Sequence, residues 1–423
     1  MTKSSTKENR LPVLGINSLG RIGKLTLWHH VSRKYFKEIV VNLGRDVGTG
    51  MDTIARLIEA DATYGLLHRF LYGIKAQPVV QITDDKNGKM IIDGIPVTIL
   101  REERNPLNIP WRKYGADIVV ECSGTFKDPT IPVDDKKGSI RGHLNGGAKV
   151  VLHSAPFKIK NKALSTPDDA TTLIYGINHT AFDRKKHLLV SAASCTTTGL
   201  AHMVKPLLDN EETSTILTAS MSTIHAVTNT QSVLDKMPKA GEKDIRKTRS
   251  ILNNIILTST GAAKALIEVI PEVKNIGFMG DSIRVPTNTL SLIILNATFQ
   301  ARPGKKGEAA NIDTKKLNAV YEKAGQNNPL VRFTMQQNVS TDLIGEDAAV
   351  IIEGQFNHTR TAFIPVDLSQ IPNVPAGLLQ GLGEKMLQVP VVHAKIFGWY
   401  DNEYGSYVNR MGDLTVYIHK NVQ

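Results

Sequence analysis

Cysteine is almost missing from this chain: its 423 residues include two, Cys122 and Cys195. So few thiols exclude a disulfide framework and fit a reducing, cytoplasmic setting. Long apolar runs are missing too, and without one of about 18 residues no membrane span is expected. The polar opening MTKSSTKENR has no apolar segment behind it, so residues 1–10 read as a short disordered tail and not as a secretory signal. Aromatic residues make up only 6% of the chain, and acidic residues (40) are outnumbered by basic ones (51), giving a net charge of +11. A basic surface attracts nucleic acid, anionic membranes or phosphorylated small molecules. Here the basic residues are scattered, as at Lys158/Lys160/Lys162, Arg184–Lys186, Lys243–Arg249, Lys305–Lys306 and Lys315–Lys316. No aromatic platforms lie between them, so nucleic acid is not expected as a partner and the basic residues read as solvated surface charge.

What is present is ordinary globular material, 41% apolar and 22% charged, in a length that suits two or three domains. PVLGINSLGRIGKLTLWHH reads as a buried strand, a tight turn and a helix. KEIVVNLG is a second strand, and GMDTIARLIEADATYG has helical spacing. PVVQITDDKNGKMIIDGIPVTIL reads as two antiparallel strands turning at Lys86–Lys89. ADIVVECSG, AKVVLHSAP and HLLVSAASC are short apolar strands ending in small residues. This alternation predicts an α/β fold: a Rossmann-type doubly wound parallel sheet, with ligands at the strands' C-terminal ends. After Cys195 the runs lengthen (LTASMSTIHAVT, SIRVPTNTLSLIILNATFQ, AAVIIEGQF, VVHAKIFGWYD), which predicts an α+β domain around a mixed, mostly antiparallel sheet.

Within the first domain, Ser18-Leu19-Gly20-Arg21-Ile22-Gly23 aligns with the G-x-G-x-x-G dinucleotide turn, Ser18 standing in place of the first glycine. Where NAD-binding domains carry a ribose-binding acid at the end of the second strand, this chain has Leu43, with Arg45 two residues on. Leucine accepts no hydrogen bond, whereas Arg45 suits a ribose phosphate, so NAD and NADP both stay open as cofactors. Cys195 sits where a helix begins, a place that favours thiolate over thiol, and His225 follows 30 residues later as a candidate proton acceptor. A lone cysteine is otherwise an inert packing residue, the reading kept for Cys122.

The segments SAASCTT, MSTIHAVTNTQ, TSTGAAKA, SIRVPTN and WYDNEYG occur in this order, and together they resemble the phosphorylating glyceraldehyde-3-phosphate dehydrogenase family from about Leu14 to the C-terminus. That resemblance implies oxidation of glyceraldehyde 3-phosphate to 1,3-bisphosphoglycerate, through a thiohemiacetal and thioester on Cys195 with His225 as base. It also implies a cytoplasmic homotetramer and no metal. Gly20, Arg21, Ile22, Gly23, Arg45, Arg104, Ser154 and Asn402 fall at cofactor positions, with Asn402 on the nicotinamide carboxamide. For inorganic phosphate the resemblance implies Ser194, Thr196, Thr260, Gly261 and Arg284; for the phosphate of the aldehyde, Thr228, Arg284 and Lys247. Departures from the family pattern include Lys247 in place of arginine, Thr230 in place of aspartate and Val227 in place of an aromatic residue. They leave open a relative acting on another phosphorylated aldehyde, such as erythrose 4-phosphate, or a silent binding or regulatory paralogue.

The same reading divides the chain into residues 11–194 (NAD(P)-binding), 195–404 (catalytic) and 405–423, a final helix returning to the first domain. Surplus length falls at about residues 355–392, an insertion whose apolar residues suit a small helix or a strand pair.

Overall fold

A computed structural model describes residues 11–301, 312–381 and 384–422, so the expected tail at residues 1–10 and the pair Lys305–Lys306 lie outside the described residues. Among the described residues, chain contacts separate two compact units, residues 11–194 with 407–422, and the described part of 195–406. The fold class is α/β. Among the described residues no helix is long and apolar enough to cross a membrane.

The first unit is built on one nine-stranded sheet. In chain order its elements are β1 (Val13–Asn17), α1 (Arg21–Arg33), β2 (Glu38–Asn42), α2 (Met51–Glu59), β3 (Val80–Asp84), β4 (Lys89–Ile92), β5 (Ile95–Leu100), β6 (Ala116–Glu121), β7 (Val150–His153), β8 (Ala170–Thr172) and β9 (Leu189–Ser191). The strands lie side by side as β8–β9–β7–β6–β1–β2–β5–β4–β3. From β8 to β5 every pairing is parallel. A parallel sheet is covered on both faces, which is why VLGIN and VVLH are buried at every position.

The expected two-strand hairpin proves to be three strands. After the turn at Lys86–Lys89 the chain reverses again at Asp93-Gly94, both at positive φ, and β5 leaves that turn to run parallel to β2. Asp-Gly adopts the mirror-image turn that joins antiparallel strands, and its two residues interrupt the apolar run too briefly to mark a boundary. The C-terminal helix, Asn409–Val422, belongs to this unit: Arg33 of α1 donates to the Asn409 carbonyl at 2.8 Å and pairs with Asp413 at 2.7 Å.

The second unit opens with α3 (Cys195–Asp209) and continues through β10 (Ile216–His225), β11 (Ile256–Ser259), α4 (Ala262–Val269), β12 (Gly277–Arg284), β13 (Ser291–Gln300), α5 (Thr314–Asn327), β14 (Val331–Thr334), β15 (Val350–Glu353), β16 (His358–Asp367) and β17 (Met386–Tyr400). Its sheet runs β11–β12–β10–β13–β17–β15–β14, with β16 also on β17. Two pairings, β10 with β12 and β14 with β15, are parallel; the others are antiparallel. Along β13 inward residues alternate with half-covered ones, as in a sheet packed on one face. The segment expected as an insertion forms a β-ribbon, β16 against the first ten residues of β17, with a helical turn at Ala376–Gly381 between them.

Candidate active site

In the first unit the turn after β1 places Ser18 at φ 83°, the backbone region that favours glycine, so serine here adopts the shape of the residue it replaces. Gly20 caps α1 without a side chain. Gly23 has no alternative, since a Cβ there would stand 2.0 Å from the Ser18 carbonyl oxygen. The backbone therefore has the close helix–turn packing that a dinucleotide pyrophosphate requires. Beside the turn, at the ends of β1 and β2, lies a cavity of about 530 Å³ lined by Asn17, Ser18, Asn42, Leu43, Arg45 and Arg104, among others. These residues fit a nicotinamide dinucleotide.

The cavity floor is held by a buried polar chain. Asn42 Nδ2 donates to Asn17 Oδ1 (2.9 Å), and Asn17 Nδ2 donates to Glu121 Oε2 (2.6 Å). His143 Nε2 lies 2.8 Å from the same oxygen. An indole can only donate, so the Trp111 Nε1 bond to His143 Nδ1 (3.0 Å) fixes the tautomer in which Nε2–H donates to Glu121. Burial pushes the Glu121 carboxyl upward, but hydrogen bonds from His143, Ser123 and Asn17 outweigh it and hold the group below its ordinary range.

In the second unit Cys195 is the first residue of α3, and its Sγ lies 3.5 Å from His225 Nε2, at the end of β10. The parallel register of β10 with β12 sets His225 directly beside Arg284. His225 Nδ1 lies 2.7 Å from the Ala226 carbonyl oxygen, to which it donates. Nε2 then keeps a lone pair facing the thiol. Arg284 Nη1 crowds Nδ1 and donates to the same carbonyl at 3.0 Å. Below this group the Tyr400 hydroxyl bridges Thr196 and Thr223, each at 2.8 Å.

These surroundings overturn one expectation from the sequence. The Cys195 thiol is raised above its ordinary pKa: burial pushes it up further than Arg284 and Thr196 pull it down. The helix start does not prevail, because the partial burial of the residue costs the thiolate more hydration than Arg284 and Thr196 return. His225 is driven down to about 3, chiefly by burial and then by the Arg284 charge. The pair therefore rests as neutral thiol and neutral imidazole.

The structure brings Cys195, Thr196, His225 and Arg284 together. Thr228 lies three residues past His225, its Oγ1 2.9 Å from Thr230 Oγ1. Thr260 and Gly261 form the start of α4, where Thr260 Oγ1 accepts from Ala262 N at 3.2 Å. Lys247 stands apart on the surface, 4.0 Å from Glu242. Ser194 immediately precedes Cys195 but falls in the first unit. Asn402 is buried, its Oδ1 accepting from Ser291 Oγ at 3.3 Å.

Of the residues expected to bind cofactor, Arg45 and Arg104 line the cavity, while Gly20, Arg21, Ile22, Gly23 and Ser154 do not. Arg21, at the start of α1, is paired with Asp61 and lies over the Tyr64 ring. Cys122 is free, 3.9 Å from Thr26 Oγ1, and burial followed by the Glu121 charge pushes its thiol up to about 12. Among the described residues no group of three or more His, Cys, Asp or Glu side chains is placed to hold a metal ion. Sequence reasoning missed Tyr400, although it lies in a motif already singled out, and Glu121, whose signal is a carboxylate directly after the apolar run Ile118–Val120 at the end of its strand.

A doubly wound sheet with a glycine-dependent turn, and a second unit carrying a thiol–imidazole pair, define a class of two-unit, nucleotide-binding α/β proteins. Residues 13–129 match the NAD binding domain of glyceraldehyde 3-phosphate dehydrogenase, and residues 194–365 match its C-terminal domain. Glyceraldehyde-3-phosphate dehydrogenase of Streptomyces coelicolor is 33% identical over 96% of this chain and 98% of its own length. Glyceraldehyde-3-phosphate dehydrogenase 1 of Trichormus variabilis is 34% identical over 95% of each chain. That of Bacillus cereus is 30% identical over 96% and 98%. The chain belongs to the glyceraldehyde-3-phosphate dehydrogenase family.

Proposed function

We propose that this protein oxidises glyceraldehyde 3-phosphate to 1,3-bisphosphoglycerate with inorganic phosphate and NAD(P). The observation that carries the reading is the Cys195–His225 pair at 3.5 Å with the Arg284 side chain against it. The Arg284 Nε–H is buried and has no hydrogen-bond partner among the described residues, so one donor remains for an anion.

The residues perform the reaction as follows. Cys195 Sγ attacks the aldehyde carbon as its proton passes to His225 Nε2, and His225 returns that proton to the new oxyanion, giving a thiohemiacetal beside a neutral imidazole. His225 then takes the proton from the thiohemiacetal hydroxyl. A nicotinamide held by Asn402 would supply the hydride acceptor, and loss of that hydride would leave the carbon as a thioester on Cys195. Inorganic phosphate attacks the thioester carbonyl, expelling the thiolate and releasing the acyl phosphate. The α3 N-terminus and His225 stabilise the oxyanion. Arg284, Thr196, Ser194, Thr260 and Gly261 hold the attacking phosphate; Thr228, Arg284 and Lys247 hold the substrate phosphate; and Asn402 holds the carboxamide.

The neutral resting pair gives these anions a second role. An anion on Arg284 offsets the lesser of the two causes that disfavour a proton on His225, so the base gains proton affinity when a phosphate is bound. A homotetramer and a cytoplasmic location complete the reading; both rest on the resemblance and, for location, on the scarcity of cysteine.

The test is initial reduction of NAD and of NADP at 340 nm with glyceraldehyde 3-phosphate, with and without phosphate. Phosphate-dependent turnover is expected. Absence of turnover with either cofactor, from protein whose Cys195 still alkylates, would overturn the choice of aldehyde.

A further inference from the structure

The cavity at the ends of β1 and β2 is lined by Arg45, Arg104, Lys136 and Lys137, and no Asp or Glu is among its lining residues. Three nearby carboxylates have other partners. Asp46 lies 3.9 Å from Arg101, Glu103 accepts from Asn108 Nδ2 at 3.2 Å, and Asp135 Oδ1 accepts from Lys137 N at 2.8 Å. Among the described residues no carboxylate pairs with the side chains of Arg45, Lys136 or Lys137. Arg104 spends one donor, Nε, on the Gly44 carbonyl at 3.2 Å, which holds it at the end of β2.

The two lysines are delivered by a fastened loop. Upstream, the Asp128 carboxylate accepts from Thr130 and from Lys160 N (2.9 Å); downstream, Ser139 Oγ donates to the Ile131 carbonyl at 2.8 Å and Arg141 pairs with Asp169 at 2.7 Å. Between them the chain turns back, Gly138 N donating to the Asp135 carbonyl at 2.9 Å. Gly138 has φ +84°, and a Cβ there would stand 2.7 Å from the Phe126 ring and 3.2 Å from Asn105 Oδ1. The turn is thus pressed onto the Asn105 segment, and Lys136–Lys137 reach the cavity that Arg45 also lines.

Four cations are poorly matched to a neutral ribose diol, whose hydroxyls need an acceptor, and Leu43 supplies none where the acidic residue of NAD sites belongs. They are well matched to a phosphate dianion on that ribose. The structure assigns Arg45, Lys136 and Lys137 to a site for the 2′-phosphate of an adenine dinucleotide, making NADP the preferred cofactor. This deepens the proposed function and rests on its dinucleotide reading.

The probes are 5′-AMP and adenosine 2′,5′-bisphosphate, which differ only in the 2′-phosphate, titrated calorimetrically into the full-length protein. The bisphosphate is expected to bind at least about tenfold more tightly. The double variant Lys136→Ala/Lys137→Ala is expected to lose most of that difference while 5′-AMP binding stays within about twofold. Lys185→Ala/Lys186→Ala, which removes the same charge elsewhere on the surface, is expected to retain the difference. Equal binding of the two probes, or an equal loss in both double variants, overturns the site. If neither probe binds, the dinucleotide reading falls with it.

Discussion

Two buried histidines of this protein face opposite neighbours. His143, in the first unit, lies against a carboxylate, with Trp111 donating to one ring nitrogen and Glu121 accepting from the other. His225, in the second, lies against a guanidinium and points one nitrogen at a thiol. His143 has both nitrogens committed and so has no lone pair to offer; it is a strut beneath the cavity floor. His225 is left with an uncommitted basic nitrogen by a neighbour that repels protons. Burial alone therefore does not separate a structural histidine from a working one. The sign of the adjacent charge and the number of satisfied nitrogens do.

The sharpest way to break this contrast is at the thiol that makes one histidine useful. Cys195→Ser is expected to lower turnover at least about a thousandfold with an unchanged melting temperature, because a hydroxyl is a far weaker nucleophile at neutral pH. Substantial residual turnover would remove Cys195 from the chemistry.

Exchanging the histidines comes next. His225→Asn is expected to slow turnover by about a hundredfold or more with little loss of stability. His143→Ala is expected to cost about 3–5 kcal/mol of stability by stranding the Glu121 carboxylate, measured by urea unfolding. The reverse pattern would show the roles to be misassigned.

The resting protonation can be read by alkylation. With the thiol raised by burial, iodoacetamide modification of the cofactor-free protein is expected to keep climbing, by about tenfold per pH unit, beyond pH 8. Cys122, at about 12, stays silent. A plateau near neutrality would reveal a thiolate–imidazolium pair instead.

The smallest expected effect concerns stability. His225 titrates near 3 when folded and near 6.5 when unfolded, so below pH 6.5 the unfolded chain binds a proton that the folded chain does not. Stability present above pH 6.5 is lost as pH falls toward 3. His153, lowered to about 4 mainly by burial, shares the trend. His225→Asn is expected to flatten that slope by at most about 1.4 kcal/mol per pH unit. An unaltered slope would mean that His225 is protonated in the fold.

What the sequence made legible was local. The Ser18–Gly23 turn and the helix beginning at Cys195 are written in consecutive residues. So is the change from short buried strands to long alternating ones after Ser194. What escaped needs register between distant segments. The resemblance names Arg284 as an anion-binding residue, but its contact with His225 depends on β12 lying parallel to β10 with those residues opposite each other. Tyr400 reaches Thr196 and Thr223 across separations of 204 and 177 residues. Lys136 and Lys137 belong to no motif in the sequence, and only the turn at Gly138 brings them to the cavity. The direction of the thiol's shift is not legible either, because a helix start is visible in sequence and the partial burial of Cys195 is not.

The ribbon of β16 and β17 pairs His358 with Lys395 and steps without a slip to Asp367 with Met386. β17 then runs unbroken to Tyr400, against whose edge β13 is already zipped. Its length and its parity are consequently separate properties. Residues can be added or removed at the tip in matched pairs, and nothing changes at the Tyr400 end. One residue lost from β17 between Lys395 and Tyr400 would turn every later side chain to the opposite face, taking the tyrosine hydroxyl away from both threonines. The segment thus behaves as an interchangeable cassette only toward its tip: from Val391 to Tyr400 the strand is also paired with β13, with Val391, Val392 and Ala394 buried, so lineages or engineers can rewrite it beyond the Ile364–Val389 pair and must leave the count untouched on the inner side.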